Sequence, residues 1–399
     1  MKFITLGLLA CSLFGFTSTS AQDVYVRAGI LHTAAGPPIE NGAVLIRDGK
    51  IKAVGVATSI PVPAGVTVLE AAVVTPGLVD AHSVVGFAGW LNHDHDQDQL
   101  ERSEPLQPEL RAIDAFNPRE PLIAWMMSFG VTTVHTGHGP GAVISGQTLI
   151  AKTHGNTAAE SVIVPFAMVA ATLGEGATRG GKEVPGNRSK AVALLRAELI
   201  AARAHAAKGE EAEPNLRLEA LGSVLSGEVP LLVTVQRAND IMTALRVARE
   251  FDLRIILDGV AEVGTVLDEV LAAEVPVILH PTMARPTDEA ESLSMETAAA
   301  LEAKGIPFAL QSGYEAYVPK TRVVLFEAAI AAANGLAFQD ALASITIDAA
   351  RILGVEKRVG SLEVGKDGDL ALYDADPFEY TSHCIGVVIE GVVVSRIVR

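Results

Sequence analysis

Six of the ten histidines in this chain lie at or just after short apolar runs that are typical of buried β-strands. They are His82, His93, His95, His135, His138 and His280. Imidazole can bind a metal ion or transfer a proton near neutral pH, so histidines that collect at one end of a sheet could build a hydrolytic site. The segment 92–98, Asn-His-Asp-His-Asp-Gln-Asp, is especially dense in potential metal ligands.

The elements that would position these histidines alternate between short apolar runs and longer helical stretches. Later strand candidates are 132–135, 161–164, 231–235, 254–257, 276–279 and 307–310. Helix candidates include 188–207, 239–250, 263–273, 294–304 and 323–333. The alternation predicts an α/β fold, a (β/α)8 TIM-like barrel over 76–355 with its chemistry at the C-terminal strand ends. A doubly wound sheet is the alternative, but no Gly-x-Gly-x-x-Gly follows the first strand.

The two ends of the chain read as β-structure. In residues 22–75, two apolar runs flank Asp48-Gly49, which suits the left-handed turn of a hairpin. Residues 356–399 contain a second hairpin signal at Glu390-Gly391. We predict a small β-sandwich domain built from both termini beside the barrel.

Two segments carry a family resemblance. Residues 74–86 read VTPGLVDAHSVVG, which resembles the first barrel strand of the amidohydrolase superfamily, where members read PGLIDxHxH. Residues 360–372 read GSLEVGKDGDLAL, which is similar to GSLEVGKDADLVV in the same superfamily. The chain is identified as a member of this superfamily, near its imidazolonepropionase-like branch. The resemblance implies a hydrolase of carbon–nitrogen bonds.

The resemblance also implies a catalytic metal such as zinc, with histidines from the first, fifth and sixth strands and an aspartate from the eighth. Only His82 is kept. The other ligand positions fall on Val84, Thr234 (or Gln236), Gly259 and Gly313. No histidine lies between His205 and His280, and no aspartate lies between Asp288 and Asp340, so no shift of register restores the ligands. The usual metal site is therefore predicted to be degraded.

A rearranged site is the first hypothesis. Its catalytic candidates are His82, His280 and Glu175, its substrate-binding candidates are His135, His138, Gln147 and Arg285, and its metal candidates are His82, His93 and His95. Such a site would hold one divalent metal or none and would hydrolyse cyclic amides or small peptides. The second hypothesis is a pseudoenzyme that keeps the fold as a ligand-binding module. For each histidine a structural role, or a solvated acidic loop at 93–95, stays open.

Composition limits the partners and the location. The net charge of −16 argues against nucleic acid and anionic membrane surfaces, which favour basic proteins. We expect a small-molecule substrate and no membrane span, and homo-oligomer formation stays open. Residues 1–21 resemble a cleavable signal peptide, so a periplasmic or secreted protein is predicted; a lipoprotein anchor at Cys11 is the weaker alternative. Only Cys384 would then remain, which excludes an internal disulfide.

Overall fold

The computed structural model describes residues 23–91, 93–178, 185–313 and 321–399. The predicted signal peptide at 1–21 and the alternative anchor at Cys11 lie outside the described residues. Within those four ranges, no helix is both long and apolar enough to cross a membrane.

Two sheets organise the chain. In order, the strands are β1 (Val24–Leu31), β2 (Ile39–Arg47), β3 (Lys50–Val56), β4 (Thr67–Pro76), β5 (Leu78–Ser83), β6 (Val131–Gly137), β7 (Ile144–Lys152), β8 (Val162–Val164), β9 (Val169–Thr172), β10 (Leu231–Val235), β11 (Ile255–Gly259), β12 (Val277–Leu279), β13 (Phe308–Leu310), β14 (Leu370–Tyr373), β15 (Cys384–Ile389) and β16 (Val392–Ser395). The helices are α1 (Pro121–Met127), α2 (Ala158–Ser161), α3 (Arg188–Ala206), α4 (Leu216–Leu225), α5 (Ala238–Phe251), α6 (Leu267–Ala272), α7 (Thr297–Lys304), α8 (Val324–Ala333), α9 (Phe338–Ser344) and α10 (Ile347–Ile352).

The central sheet is a nearly closed barrel of eight strands in the order β5-β6-β7-β9-β10-β11-β12-β13. The backbone N–H of Gly313, just after β13, donates to the carbonyl of His82 at 3.1 Å and brings the last strand back to the first. Apolar side chains fill the interior, among them Ala81, Ile150, Leu232, Ile256, Ile278 and Ala309. The predicted TIM-like barrel is confirmed.

One barrel strand differs from the expected parallel pattern. Strand β7 runs antiparallel to both β6 and β9, and it includes Ser145-Gly146-Gln147, which is not among the strand candidates from the sequence. The predicted strand at 161–164 forms only the short β8, which pairs with β7 outside the barrel path, whereas the unpredicted β9 takes a barrel position. All nine β7 residues are buried, and a strand covered on both faces shows no alternation that would reveal it.

The predicted helices lie where their periodic apolar positions place them, with small changes at their ends. The long helix α3 begins after Asn187, whose side chain accepts a hydrogen bond from the backbone N–H of Lys190 and caps the first turn. The predicted helix at 263–273 is divided, because a short 3-10 turn at Val263–Thr265 precedes α6.

The second sheet is built from both termini, as predicted, in the order β16-β15-β14-β4-β1-β2-β3. It packs over its own apolar core, and Lys50 on β3 forms an isolated antiparallel bridge with Asp367, three residues before β14. Strand β4 leads through Gly77 directly into β5, so this sheet fixes the start of the first barrel strand. The side chain of Lys152 on β7 is buried between Asp367 and Asp369 and joins the two sheets.

Candidate functional site

Alternate residues along four neighbouring strands build the candidate site. Leu232, Ile256, Ile278 and Ala309 belong to the apolar barrel interior. Side chains two positions further along a strand return to the same face. Those positions hold Thr234, Asp258, His280 and Gln311, and all four line one cavity of about 430 Å³ at the C-terminal end of the barrel. The apolar core therefore gives way to a polar layer where the strands end.

His82 and Asp258 form a buried pair in this layer. The Nδ1 atom of His82 lies 3.1 Å from Oδ1 of Asp258, and both side chains are about 95% buried. Asp258 also accepts hydrogen bonds from Oγ1 of Thr234 at 2.6 Å and from Nε2 of Gln311 at 2.8 Å. The Nε2 atom of His82 has no hydrogen-bond partner among the described residues. The pair thus leaves one imidazole nitrogen available in a residue that lines the cavity.

The electrostatics favour the ionic form of this pair. Burial raises the pKa of Asp258, but His82 and the hydrogen bonds from Thr234 and Gln311 outweigh it and hold that pKa below its usual value. Burial lowers the pKa of His82, but the carboxylates of Asp258 and Asp80 outweigh it and raise that pKa above its usual value. Both pKa shifts therefore favour an imidazolium that faces a carboxylate.

Asp80 lies behind the pair rather than in the cavity. It accepts hydrogen bonds from the backbone N–H of Ser312 at 2.9 Å and from the Ser312 hydroxyl, which connects β5 to the residues after β13. Burial raises the pKa of Asp80 to about 7 against the opposing effect of these hydrogen bonds. Asp80 therefore closes the barrel under His82.

His280 contributes a second imidazole to the cavity. Its Nδ1 lies 2.9 Å from the carbonyl oxygen of Pro281, and its Nε2 has no hydrogen-bond partner among the described residues. The side chain is buried, and burial lowers its pKa to about 4.

Three predicted substrate-binding residues lie away from this cavity. His135 uses both ring nitrogens, with Nδ1 2.7 Å from the Ala81 carbonyl oxygen and Nε2 2.7 Å from Oγ1 of Thr148. Burial, and then the charge on His82, lower the pKa of His135 to about 3. Gln147 donates to the carbonyl of Pro108 at 3.1 Å. His138 is buried near Phe87, with rings 6.0 Å apart, and burial lowers its pKa to about 4.

The predicted metal candidates are divided between two cavities. His93 and His95 stack on each other with ring centroids 5.4 Å apart and line a separate cavity of about 350 Å³, together with Trp90 and Asp96. His82 lines the barrel cavity instead. The structure does not bring the three histidines to one point.

The remaining candidates are also divided. Arg285 lies at the barrel cavity, with an exposed side chain. Glu175 starts a short 3-10 turn, and its backbone N–H donates to Oε2 of Glu289 at 2.7 Å. It lines a different, open depression beside Arg188 and Arg237. Of the residues predicted from sequence, the barrel cavity therefore collects His82, His280 and Arg285.

The donor atoms around the cavity do not fit the metal site that the resemblance implies. In the described part of the chain, no group of three or more His, Cys, Asp or Glu side chains is arranged to hold a metal. Asp258 already accepts three hydrogen bonds. Gly259 has a φ of 85°, and a Cβ there would lie 2.5 Å from Nε2 of Gln236. The backbone at this ligand position thus disfavours any side chain.

Asp258 and Gln311 are site residues that were not predicted from the sequence. Asp258 is 176 positions from its partner His82, so no local motif connects them. A signal existed, however: each lies two positions beyond an apolar residue near the end of a predicted strand, where the inward side chains of a barrel reach its functional face.

Comparisons with known proteins agree with this fold. The family model described as "Amidohydrolase family" matches residues 320–395. The solved amidohydrolase from Thermotoga maritima MSB8 is 28% identical, with a TM-score of 0.88 over 94% of this chain and all of that one. A zinc-bound adenosine deaminase from Xanthomonas campestris, 16% identical with a TM-score of 0.56 over 93% of this chain and 92% of that one, shares the fold.

One curated relative is much longer than this chain. Amidohydrolase tasK from Hapsidospora irregularis is 27% identical over 414 aligned residues, which cover 94% of this chain. The aligned part is 41% of that relative, so the chain spans less than half of its length.

Proposed function

We propose that this chain, which is similar to amidohydrolases in sequence and fold, hydrolyses carbon–nitrogen bonds of cyclic amides or small peptides in the barrel cavity. The observation that carries the proposal is the buried His82–Asp258 pair, whose imidazole keeps Nε2 available in a residue of the cavity wall. Burying two charges costs about 5 kcal/mol of desolvation each, and such pairs with shifted pKa values are concentrated at functional sites.

The chemistry proposed for the pair is polarisation of the substrate carbonyl. An imidazolium that donates Nδ1–H to Asp258 presents Nε2–H as a second donor. Donated to a carbonyl oxygen, this hydrogen stabilises the negative charge that develops there when water attacks. Thr234 and Gln311 hold Asp258 in place, so the donor is oriented before substrate arrives.

Superfamily members typically bind a divalent metal, which activates water and polarises a carbonyl. The donor set described above does not fit such a centre, so the proposal assigns the polarising role to His82. Elemental analysis of the purified protein tests this assignment, since one tightly held zinc per chain would return that role to a metal.

The cavity suits a compact substrate. Its volume of about 430 Å³ lies in the range of small-molecule sites. Val84, Pro140 and Ala284 supply apolar parts of the cavity wall, while Gln236 and Arg285 supply polar groups. A cyclic amide or a dipeptide combines an apolar ring or side chain with a polar amide, which matches this mixed lining.

The experiment is a screen of the purified protein against hydantoins, dihydropyrimidines, lactams and dipeptides, followed by released amine or new carboxylate. We expect turnover of at least one class, and a loss of about 10²–10³-fold in kcat for His82→Ala and Asp258→Asn, as for removal of an oxyanion donor. His154→Ala, at an exposed histidine, is the matched control. Equal activity of His82→Ala and the wild type would overturn the role of His82. No turnover of any class by the wild type would favour the non-catalytic module.

Export stays part of the proposal. Its support is the leader-like segment 1–21. The N-terminal mass of protein recovered outside the cytoplasm tests it.

A further inference from the structure

His280 faces the same cavity as His82 from a different strand end, and its hydrogen bond fixes which nitrogen carries the proton. The carbonyl oxygen of Pro281, 2.9 Å from Nδ1, can only accept a hydrogen bond, so Nδ1 of His280 must donate. In the neutral ring, Nε2 then carries a lone pair. This Nε2 has no hydrogen-bond partner among the described residues, and the side chain lines the cavity.

The other ionisable groups of the cavity wall are less suited than His280 to accept a proton. Among its described residues, the ionisable side chains are His82, Asp258, His280, Arg285 and Arg322. The arginines are permanent cations. Asp258 accepts from His82, Thr234 and Gln311. Asp80 and Glu327 are buried acids, but neither lines the cavity. His280 therefore supplies the lone pair that remains available.

We propose that His280 is the general base of the reaction, taking a proton from the attacking water through Nε2. As the water oxygen bonds to the carbonyl carbon, the C=O electron pair moves onto oxygen, where the Nε2–H of His82 stabilises it. When the C–N bond breaks, the proton on His280 passes to the leaving nitrogen. The sum is amide plus water giving acid plus amine, with both histidines restored.

Burial of His280 supports the assignment. It lowers the pKa of this imidazole to about 4, so the ring is neutral at neutral pH. Asp258, by contrast, raises the pKa of His82 against its burial. Two imidazoles whose pKa values are separated by their surroundings can serve as base and acid at one pH.

The inference rests on the proposed function, and one set of variants separates the two. With a substrate that the wild type hydrolyses, we expect kcat of His280→Ala to fall about 10²–10⁴-fold, the usual contribution of a general base. Added imidazole should restore part of the loss, because the deleted ring leaves space for it. His280→Gln, of similar volume, should fold, bind product with unchanged affinity and stay inactive.

Two results would overturn the general-base role of His280 while leaving the proposed hydrolase activity intact. One is full activity of His280→Ala. The other is a loss of kcat that added imidazole does not reverse, accompanied by a parallel fall in product affinity. If the wild type hydrolyses nothing in the screen, both the proposed hydrolase activity and the general-base role of His280 are overturned.

A measurement without substrate decides the tautomer. In wild type labelled with ¹⁵N-histidine, the ring signals that disappear in His280→Gln are those of His280. Near neutral pH, these signals should show a protonated Nδ1 and an unprotonated Nε2. A protonated Nε2 would overturn the inference whatever the screen finds.

Discussion

The pair of His82 and Asp258 connects the charge of the site to the stability of the barrel. His82 has its pKa raised above 6.5, so its share of the stabilisation is complete below that pH and is lost as the pH rises through the raised value. Asp258 has its pKa lowered below 3.8, so its share is complete above that pH and is lost on further acidification. The stabilisation by the pair is therefore greatest between the two.

Asp258→Asn should consequently cost more stability near pH 6 than near pH 9. Removing one partner of a buried ion pair typically costs about 3–5 kcal/mol of stability. At about pH 9 a larger fraction of His82 is neutral, so the loss of the Asp258 carboxylate costs less. Urea unfolding of wild type and variant at both pH values gives the difference. Asp374→Asn is the control, because Asp374 pairs with His383 at 2.9 Å on the surface, where about 1 kcal/mol or less is expected. Equal costs at both pH values would contradict the ionic pair.

Some residues of the site could be predicted from the sequence and others could not, depending on whether a local pattern marks them. His82 and His280 were found because each ends a recognisable apolar run. His93 and His95 end none of the barrel strands; they follow the first one on a loop, and that loop folds over its own cavity. Asp258 was missed because its role depends on a neighbour that only barrel closure supplies.

At the scale of elements, strand β11 ends in a conformation that keeps a ligand side chain out. A non-glycine residue in the left-handed region costs about 1–2 kcal/mol, and a Cβ at Gly259 would also displace Gln236, which accepts from the backbone N–H of Ala261 at 3.2 Å. Gly259→Ala should therefore lower the free energy of unfolding by at least that amount.

Gly264→Ala is its matched control, because Gly264 has no atom within 4 Å of a Cβ and no positive φ. Thermal unfolding of both variants checks the difference. A Gly259→Ala protein as stable as Gly264→Ala would mean that this strand end can accept a side chain, and with it a metal ligand.

The strand β7 shows where element prediction ends. Ile144–Lys152 is buried throughout although it contains serine, glycine, glutamine and threonine, because the barrel covers both of its faces. Its polar atoms form hydrogen bonds with neighbouring residues: Nε2 of His135, for example, lies 2.7 Å from Oγ1 of Thr148. Neither the burial nor the antiparallel direction follows from local composition, since both are set by strands on either side.

At the scale of the whole molecule, the ends of the chain were the easiest part to predict. The hairpin at Asp48-Gly49 and the segment 360–372 carry strong local turn and strand signals. Their charged residues join the two ends of the chain to each other, at a junction where Asp367 and Asp369 also contact Lys152 of the barrel. Asp367 accepts from Lys50 and Arg358, and Asp369 accepts from the backbone N–H of Glu390 at 2.9 Å.

Lys152 is the barrel's contribution to this junction, and its removal should loosen the whole molecule. Burial lowers its pKa, but Asp369 and Asp367 outweigh that effect and keep it charged. Lys152→Met would leave Asp369 buried without its cation, and we expect a loss of about 3–5 kcal/mol in the free energy of unfolding. Arg27→Met is the control: Arg27 pairs with Glu70 at 3.3 Å with both side chains at least half exposed, where about 1 kcal/mol or less is expected. Urea unfolding followed by circular dichroism measures both, and equal losses would mean that the two sheets do not depend on this buried charge to stay together.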